Sequence, residues 1–253
     1  MKQAKLILLA SAIAALAACG GSSGSGKTPP ADNGTQPTPP PVHSGQAPTV
    51  DPDQINYNDI PVHDPSVIRT DDGIFHVVGS HLAMASSPDL ITWEQTAPGI
   101  DLEEPDFAAN PLFSNYDIEV AEGIDWTGGY GGSWASDITL FNDGRYYFYY
   151  NHCANPVSGV CDAPRSYLGV AVADDIMGPY KNLGIFLRSG QTADEIAEGY
   201  GVGDITSYNA NIHPNTIDPH TFFDKNGKLW MVYGSYSGGI FILEMDEATG
   251  KPL

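Results

Sequence analysis

Basic residues are scarce in this chain. Eleven Lys and Arg stand against 31 Asp and Glu in 253 residues, a formal charge of −20. A duplex nucleic acid or an anionic membrane surface is held by clustered Lys and Arg on phosphate, so the composition argues against both. The acidity reads first as a soluble, secreted-type surface. A second reading keeps some carboxylates for a neutral, polar substrate or a hard cation. Long helical periods are also few, and the one long apolar run, Leu6 to Ala18, is too short to cross a bilayer as a helix. What the chain does have is 42% hydrophobic and 10% aromatic residues, enough for one sizeable core.

The apolar run follows Lys2 and Lys5 and ends in Leu16-Ala17-Ala18-Cys19. A positive start followed by a short apolar stretch is a targeting segment rather than part of the fold. It resembles the bacterial lipoprotein signal, which implies cleavage before Cys19 and lipidation of that cysteine. Residues 1–19 are therefore expected to be a signal peptide, and the mature protein to be anchored by acyl chains rather than spanning the membrane. The absence of Asp at position 20 points, by the sorting habit of such proteins, to the outer membrane, facing the periplasm or the exterior. Residues 20–55 are Gly, Ser, Pro and Thr with almost no large apolar side chain, and are expected to form a flexible tether. Of the three cysteines, Cys153 and Cys161 remain near each other in a loop between strands. In an oxidising compartment they suit a small disulfide staple, with free thiols as the alternative.

From about residue 56 one phrase is written three times. It runs Asp64-Pro65-Ser66-Val67-Ile68, a turn at Asp71-Asp72-Gly73, then Ile74-Phe75-His76-Val77-Val78. It returns as Asp137-Ile138-Thr139-Leu140-Phe141, a turn at Asn142-Asp143-Gly144, then Tyr146 to Tyr150. It returns again as Asp218-Pro219-His220-Thr221-Phe222-Phe223, a turn at Lys225-Asn226-Gly227, then Leu229 to Tyr233. Each copy is an acid opening a short strand, a tight Gly turn and an aromatic second strand. The distance from acid to turn glycine is read as similar in each. Small-residue strands follow, with Trp93 and Tyr180 expected to pack between repeats. This repetition predicts an all-β chain of β-propeller blades. Two insertions, Ala97 to Gly132 and Gly190 to Asn215, are expected to wall a cleft at the propeller mouth.

In a propeller the innermost strands converge on one axis, so the three repeat aspartates should meet there. Carboxylates around a pocket suit glycoside hydrolysis, in which one takes a proton from water and another group donates one to the leaving oxygen. Any one Asp also suits a turn or the start of a strand.

Three segments carry a more specific likeness: His63-Asp64-Pro65-Ser66-Val67, Trp134-Ala135-Ser136-Asp137-Ile138, and Ile217-Asp218-Pro219 with the run Phe222 to Leu229. They resemble the motifs of glycoside hydrolase family 43, whose members are five-bladed propellers. Gly79-Ser80-His81-Leu82-Ala83 and Tyr233 to Phe241 further resemble the bacterial endo-1,5-α-L-arabinanases of that family. The resemblance implies cleavage of α-1,5-linked arabinan with inversion. It gives Asp64 the role of general base and Asp218 that of orienting the general acid and tuning its pKa. It places Trp134, Asp137 and Ser235 at the substrate. Ser136 stands where the motif commonly has Pro.

The family's general acid is a Glu in a fourth blade, and this sequence ends before such a repeat. Only about three blades are expected, over residues 56–253, as a C-terminally truncated or partial copy of a longer enzyme, with that Glu missing from it. Glu103, Glu104, Glu122 and Glu244 do not fall at the matching point. A surface-anchored carbohydrate-binding propeller without hydrolytic activity is the alternative. No cofactor is required by the sequence. The resemblance admits a calcium ion in the channel of the complete enzyme, while His63, His81, His213 and His220 show no metal-ligand spacing. The expected partners are arabinan and, through the lipid anchor, a membrane, with the chain a monomer.

Overall fold

The computed structural model describes residues 60–100, 106, 110–113, 115–129, 132–153, 165–195, 197, 208–235 and 237–253. All of them lie in one compact unit, Ile55–Leu253. The signal segment, the tether, Cys19, Cys161, Glu103 and Glu104 lie outside the described residues.

The three phrases fold as three four-stranded antiparallel sheets, each in chain order. The first holds β1 (Ser66–Arg69), β2 (Phe75–Val78), β3 (Met84–Ser87) and β4 (Glu94–Ala97). The second holds β5 (Asp137–Leu140), β6 (Tyr146–Cys153), β7 (Ser166–Ala173) and β8 (Lys181–Ser189). The third holds β9 (His220–Phe223), β10 (Leu229–Tyr233), β11 (Phe241–Asp246) and β12 (Lys251–Pro252). The first hairpin of each sheet closes on the same turn. Gly73, Gly144 and Gly227 have φ of 91°, 81° and 77°, and each donates its N–H to the carbonyl three residues back, at 2.9, 3.0 and 2.9 Å. Glycine is needed because that φ costs other residues a steric clash.

Burial explains the different texture of the strands. β6 (YYFYYNHC) and β7 (SYLGVAVA) are almost wholly buried, because the middle sheet is covered on both faces. β1 (SVIR) alternates half-buried and exposed, with one face packed and Val67 on the open one. One core lies between the first and second sheets and a second between the second and third.

The described part of the first insertion does not wall the cleft. It forms α1 (Tyr116–Glu119) and α2 (Ala121–Thr127), and with Leu112 and Phe113 it fills the space between the first two sheets. Phe113 sits edge-on to Tyr116, Phe148 and Tyr150 at 4.9, 5.6 and 5.9 Å between centroids. Tyr180 is buried in this cluster as an inter-sheet residue, whereas Trp93 is half-buried with its indole N–H on the carbonyl of Leu90.

Candidate active site

The inner strands β1, β5 and β9 meet, and their leading ends enclose an open cleft of about 360 Å³. Asp64 and Asp218 line it. Each precedes its strand by two residues, is followed by Pro, and takes a left-handed backbone, φ 50° and 52°. Aspartate tolerates that region better than most residues. The turn that follows β2 packs against the back of Asp64. Ser80 donates its N–H to the carbonyl of His63 at 3.0 Å and its hydroxyl to Asp64 Oδ2 at 2.6 Å. Gly79 is obligatory there, since a Cβ would lie 1.8 Å from the His63 carbonyl oxygen. Asp218 is held in a similar way: Gly234 donates to the carbonyl of Ile217 at 2.9 Å, and the Ser235 hydroxyl and the Ala135 N–H bond the carboxylate.

Asp218 is pushed up to about 6, first by burial and then by the negative charge of Asp64; the bonds from Ser235 and Ala135 work against that rise. Two carboxylates in one cleft, with one carried well above the ordinary 3.8, form an asymmetric pair.

Asp137 takes a different place. It lies seven residues before its turn glycine, whereas Asp64 and Asp218 lie nine before theirs, so the acid-to-glycine distances differ by two. By register its equivalents are Ser66 and His220: Ser66 pairs with Val78, Asp137 with Tyr149 and His220 with Val232. The backbone position that matches Asp64 and Asp218 is Ala135. Asp137 is 1% exposed. Its Oδ1 accepts from Ser66 Oγ at 2.5 Å and meets His220 Nδ1 at 3.2 Å. Its Oδ2 accepts the N–H and hydroxyl of Thr221 at 2.7 and 2.8 Å. Burial pushes Asp137 up, but the bonds from His220, Ser66 and Thr221 outweigh it and hold the carboxyl below its usual range. Asp137 is thus the buried clasp of the three inner strands. Ser66 and His220, which grip it, both line the cleft.

Trp134 precedes the cleft residues Ala135 and Ser136 and is 37% exposed, with its indole N–H on Cys153 Sγ at 2.9 Å. Cys153 is disulfide-bonded. Of the glutamates set aside from the sequence, Glu122 pairs with Arg188 and Glu244 with Lys228, at 2.8 and 2.6 Å, and neither lines the cleft. Among the described residues no group of three or more His, Cys, Asp or Glu gathers that could hold a metal ion. A calcium site would therefore have to draw on ligands beyond any such cluster. Sequence reasoning weighed His220 only as a metal ligand, and the structure places it in the cleft. The signal was available, since it stands seven residues before a turn glycine, as Asp137 does.

The profile of glycosyl hydrolases family 43 matches residues 59–253. The chain belongs to that family. It is 52% identical over 197 residues to the extracellular endo-alpha-(1->5)-L-arabinanase 2 of Bacillus subtilis (strain 168), covering 78% of this chain and 38% of that protein. It is 43% identical over 194 residues to the extracellular endo-alpha-(1->5)-L-arabinanase of Thermotoga petrophila, covering 76% and 37%. Among solved structures it resembles the endo-1,5-alpha-L-arabinanase from Thermotoga petrophila RKU-1, with TM-score 0.67 and 40% identity over 79% of this chain and 41% of that one. The family 43 YxiA protein from Bacillus licheniformis gives TM-score 0.67 at 49% identity, over 79% and 41%. The chain thus spans about two fifths of the length of these relatives. Its fold is that of the family's β-propeller, and the described residues form three blades of it.

Proposed function

We propose that this family 43 chain carries the base side of an arabinan-cleaving site, acting on α-1,5-linked arabinan outside the cell. The observation that carries the reading is the Asp64–Asp218 pair in the cleft of a chain 52% identical to an extracellular arabinanase. Cleavage proceeds by single displacement with inversion. Water adds to the anomeric carbon of the arabinosyl residue as the bond to the leaving oxygen breaks. Asp64 takes the proton from that water, and the leaving oxygen takes one from a general acid. Ser80 fixes one oxygen of Asp64, which leaves the other for the water. Asp218 orients the acid and tunes its proton affinity, and Trp134 and Ser235 contact the sugar. Among the described residues no glutamate lines the cleft. An aryl arabino-oligosaccharide whose leaving group departs without protonation therefore isolates the base side.

The test is hydrolysis of that substrate, and of linear arabinan, by the chain and by its Asp64→Asn variant. Turnover of the aryl substrate that falls by orders of magnitude in the variant supports the reading. Equal turnover in both removes Asp64 from the role, and binding of arabinan with no product from either substrate marks a carbohydrate-binding protein. We also propose a lipid anchor at Cys19 on the outer membrane. A Cys19→Ala variant should leave the membrane fraction and appear in the medium or periplasm.

A further inference from the structure

The clasp on Asp137 has an outward-facing half. His220 commits Nδ1 to the buried carboxylate at 3.2 Å, yet its side chain is 60% exposed and lines the cleft beside Asp64 and Asp218. The two ring nitrogens diverge, so with Nδ1 on Asp137 the Nε2 edge lies on the far side of the ring, the side left for a ligand of the cleft. Asp137 itself is immobilised by Ser66 from the first blade and by Thr221 from the third. A ring tied to such a fixed acceptor loses little further freedom on binding a ligand, which is what a specificity contact requires.

We infer that His220 is a substrate-binding residue, its Nε2–H donating to a hydroxyl of the arabinose unit held between Asp64 and Asp218, with Asp137 fixing the orientation of the ring. This rests on the arabinan reading above. The chemistry agrees with it. A furanose presents hydroxyl oxygens that accept, and an imidazole with both nitrogens protonated presents only donors. The bond to Asp137 pushes His220 up from its ordinary value against the opposing effect of burial, which favours the doubly protonated ring. The charged groups around it are Asp137 on the Nδ1 side and Asp64 and Asp218 in the cleft.

The experiment is a titration of the full chain, labelled with 15N in its histidines, with arabinotriose, followed by calorimetry on the wild type and on His220→Gln. The expected result is movement of the His220 Nε2 resonance on binding and a Kd weaker by about ten- to a hundred-fold in the variant, the cost of a hydrogen bond to a charged donor. Glutamine retains an N–H for Asp137, and a thermal melt checks its fold. The wild-type resonance carries the test even if the variant is unstable. Arabinotriose binding that leaves Nε2 unmoved, with equal Kd in a folded His220→Gln, overturns the inference while the arabinan reading stands. Failure of the wild type to bind arabinotriose at all overturns both.

Discussion

Replacing Asp64 by Asn should change the proton affinity of Asp218 and, through it, the stability of the fold. Asp218 sits at about 6 against an ordinary 3.8, a difference corresponding to roughly 3 kcal/mol before any discount. The folded chain therefore binds this proton more tightly than the unfolded chain does. The stability it contributes is present in full below about 3.8 and is lost as pH rises through about 6. The carboxylate is partly open to solvent, so screening reduces the loss to about 1–2 kcal/mol. Burial is the larger raising cause and the charge of Asp64 the smaller. Asp64→Asn should thus return on the order of 1 kcal/mol at pH 8 and almost nothing at pH 3. In a domain of this size that is a rise of about 2–4 °C in Tm at pH 8.

Asparagine is the right probe. It accepts the left-handed φ of 50° that Asp64 adopts, and its carbonyl oxygen still takes the Ser80 hydroxyl. The assay has two arms: 13C resonances of the aspartate carboxyls across pH 3–8, and urea unfolding at both extremes. The Asp218 midpoint should fall from about 6 but remain above 3.8, since burial persists. A midpoint that does not move, or a variant less stable at pH 8 than the wild type, would refute the like-charge coupling on which the asymmetric pair rests.

Two further outcomes follow from the packing. Gly79→Ala drives a Cβ to within 1.8 Å of the His63 carbonyl, so it should cost about 1–3 kcal/mol and displace Asp64. Urea unfolding and aryl-substrate turnover should fall together, and an unchanged midpoint would show that the turn gives way freely. Arg165 lies 4.1 Å over the ring of Trp126 and forks onto Glu195 at 3.0 and 2.6 Å, so Arg165→Lys keeps the charge but loses the planar contacts. A loss of about 1–3 kcal/mol in thermal or urea unfolding is expected, and none would mean the stack contributes nothing.

The three sheets were legible because a hairpin is a local object. Gly73, Gly144 and Gly227 close their turns through bonds spanning three residues, and the alternation in β1 and the apolar density of β6 and β7 follow from how many faces each sheet buries. The position of the first insertion was not legible. Leu112, Phe113, Tyr116 and Val120 look like loop residues until two sheets leave a gap for them. The site was legible in part, and the misreading of Asp137 shows why. Matching the three copies by residue type put Asp137 with Asp64 and Asp218. Matching them by distance to the turn glycine puts it with Ser66 and His220, and the backbone obeys the second rule because register is set by the turn. The consequence is chemical. An acid two residues further along enters the strand, turns inward and is buried as an ionised clasp, while its neighbours at the strand mouths stay in the cleft. The same two-residue step accounts for His220, which stands at the strand position of Asp137 and, among the described residues, is the imidazole that both bonds that buried carboxylate and lines the cleft.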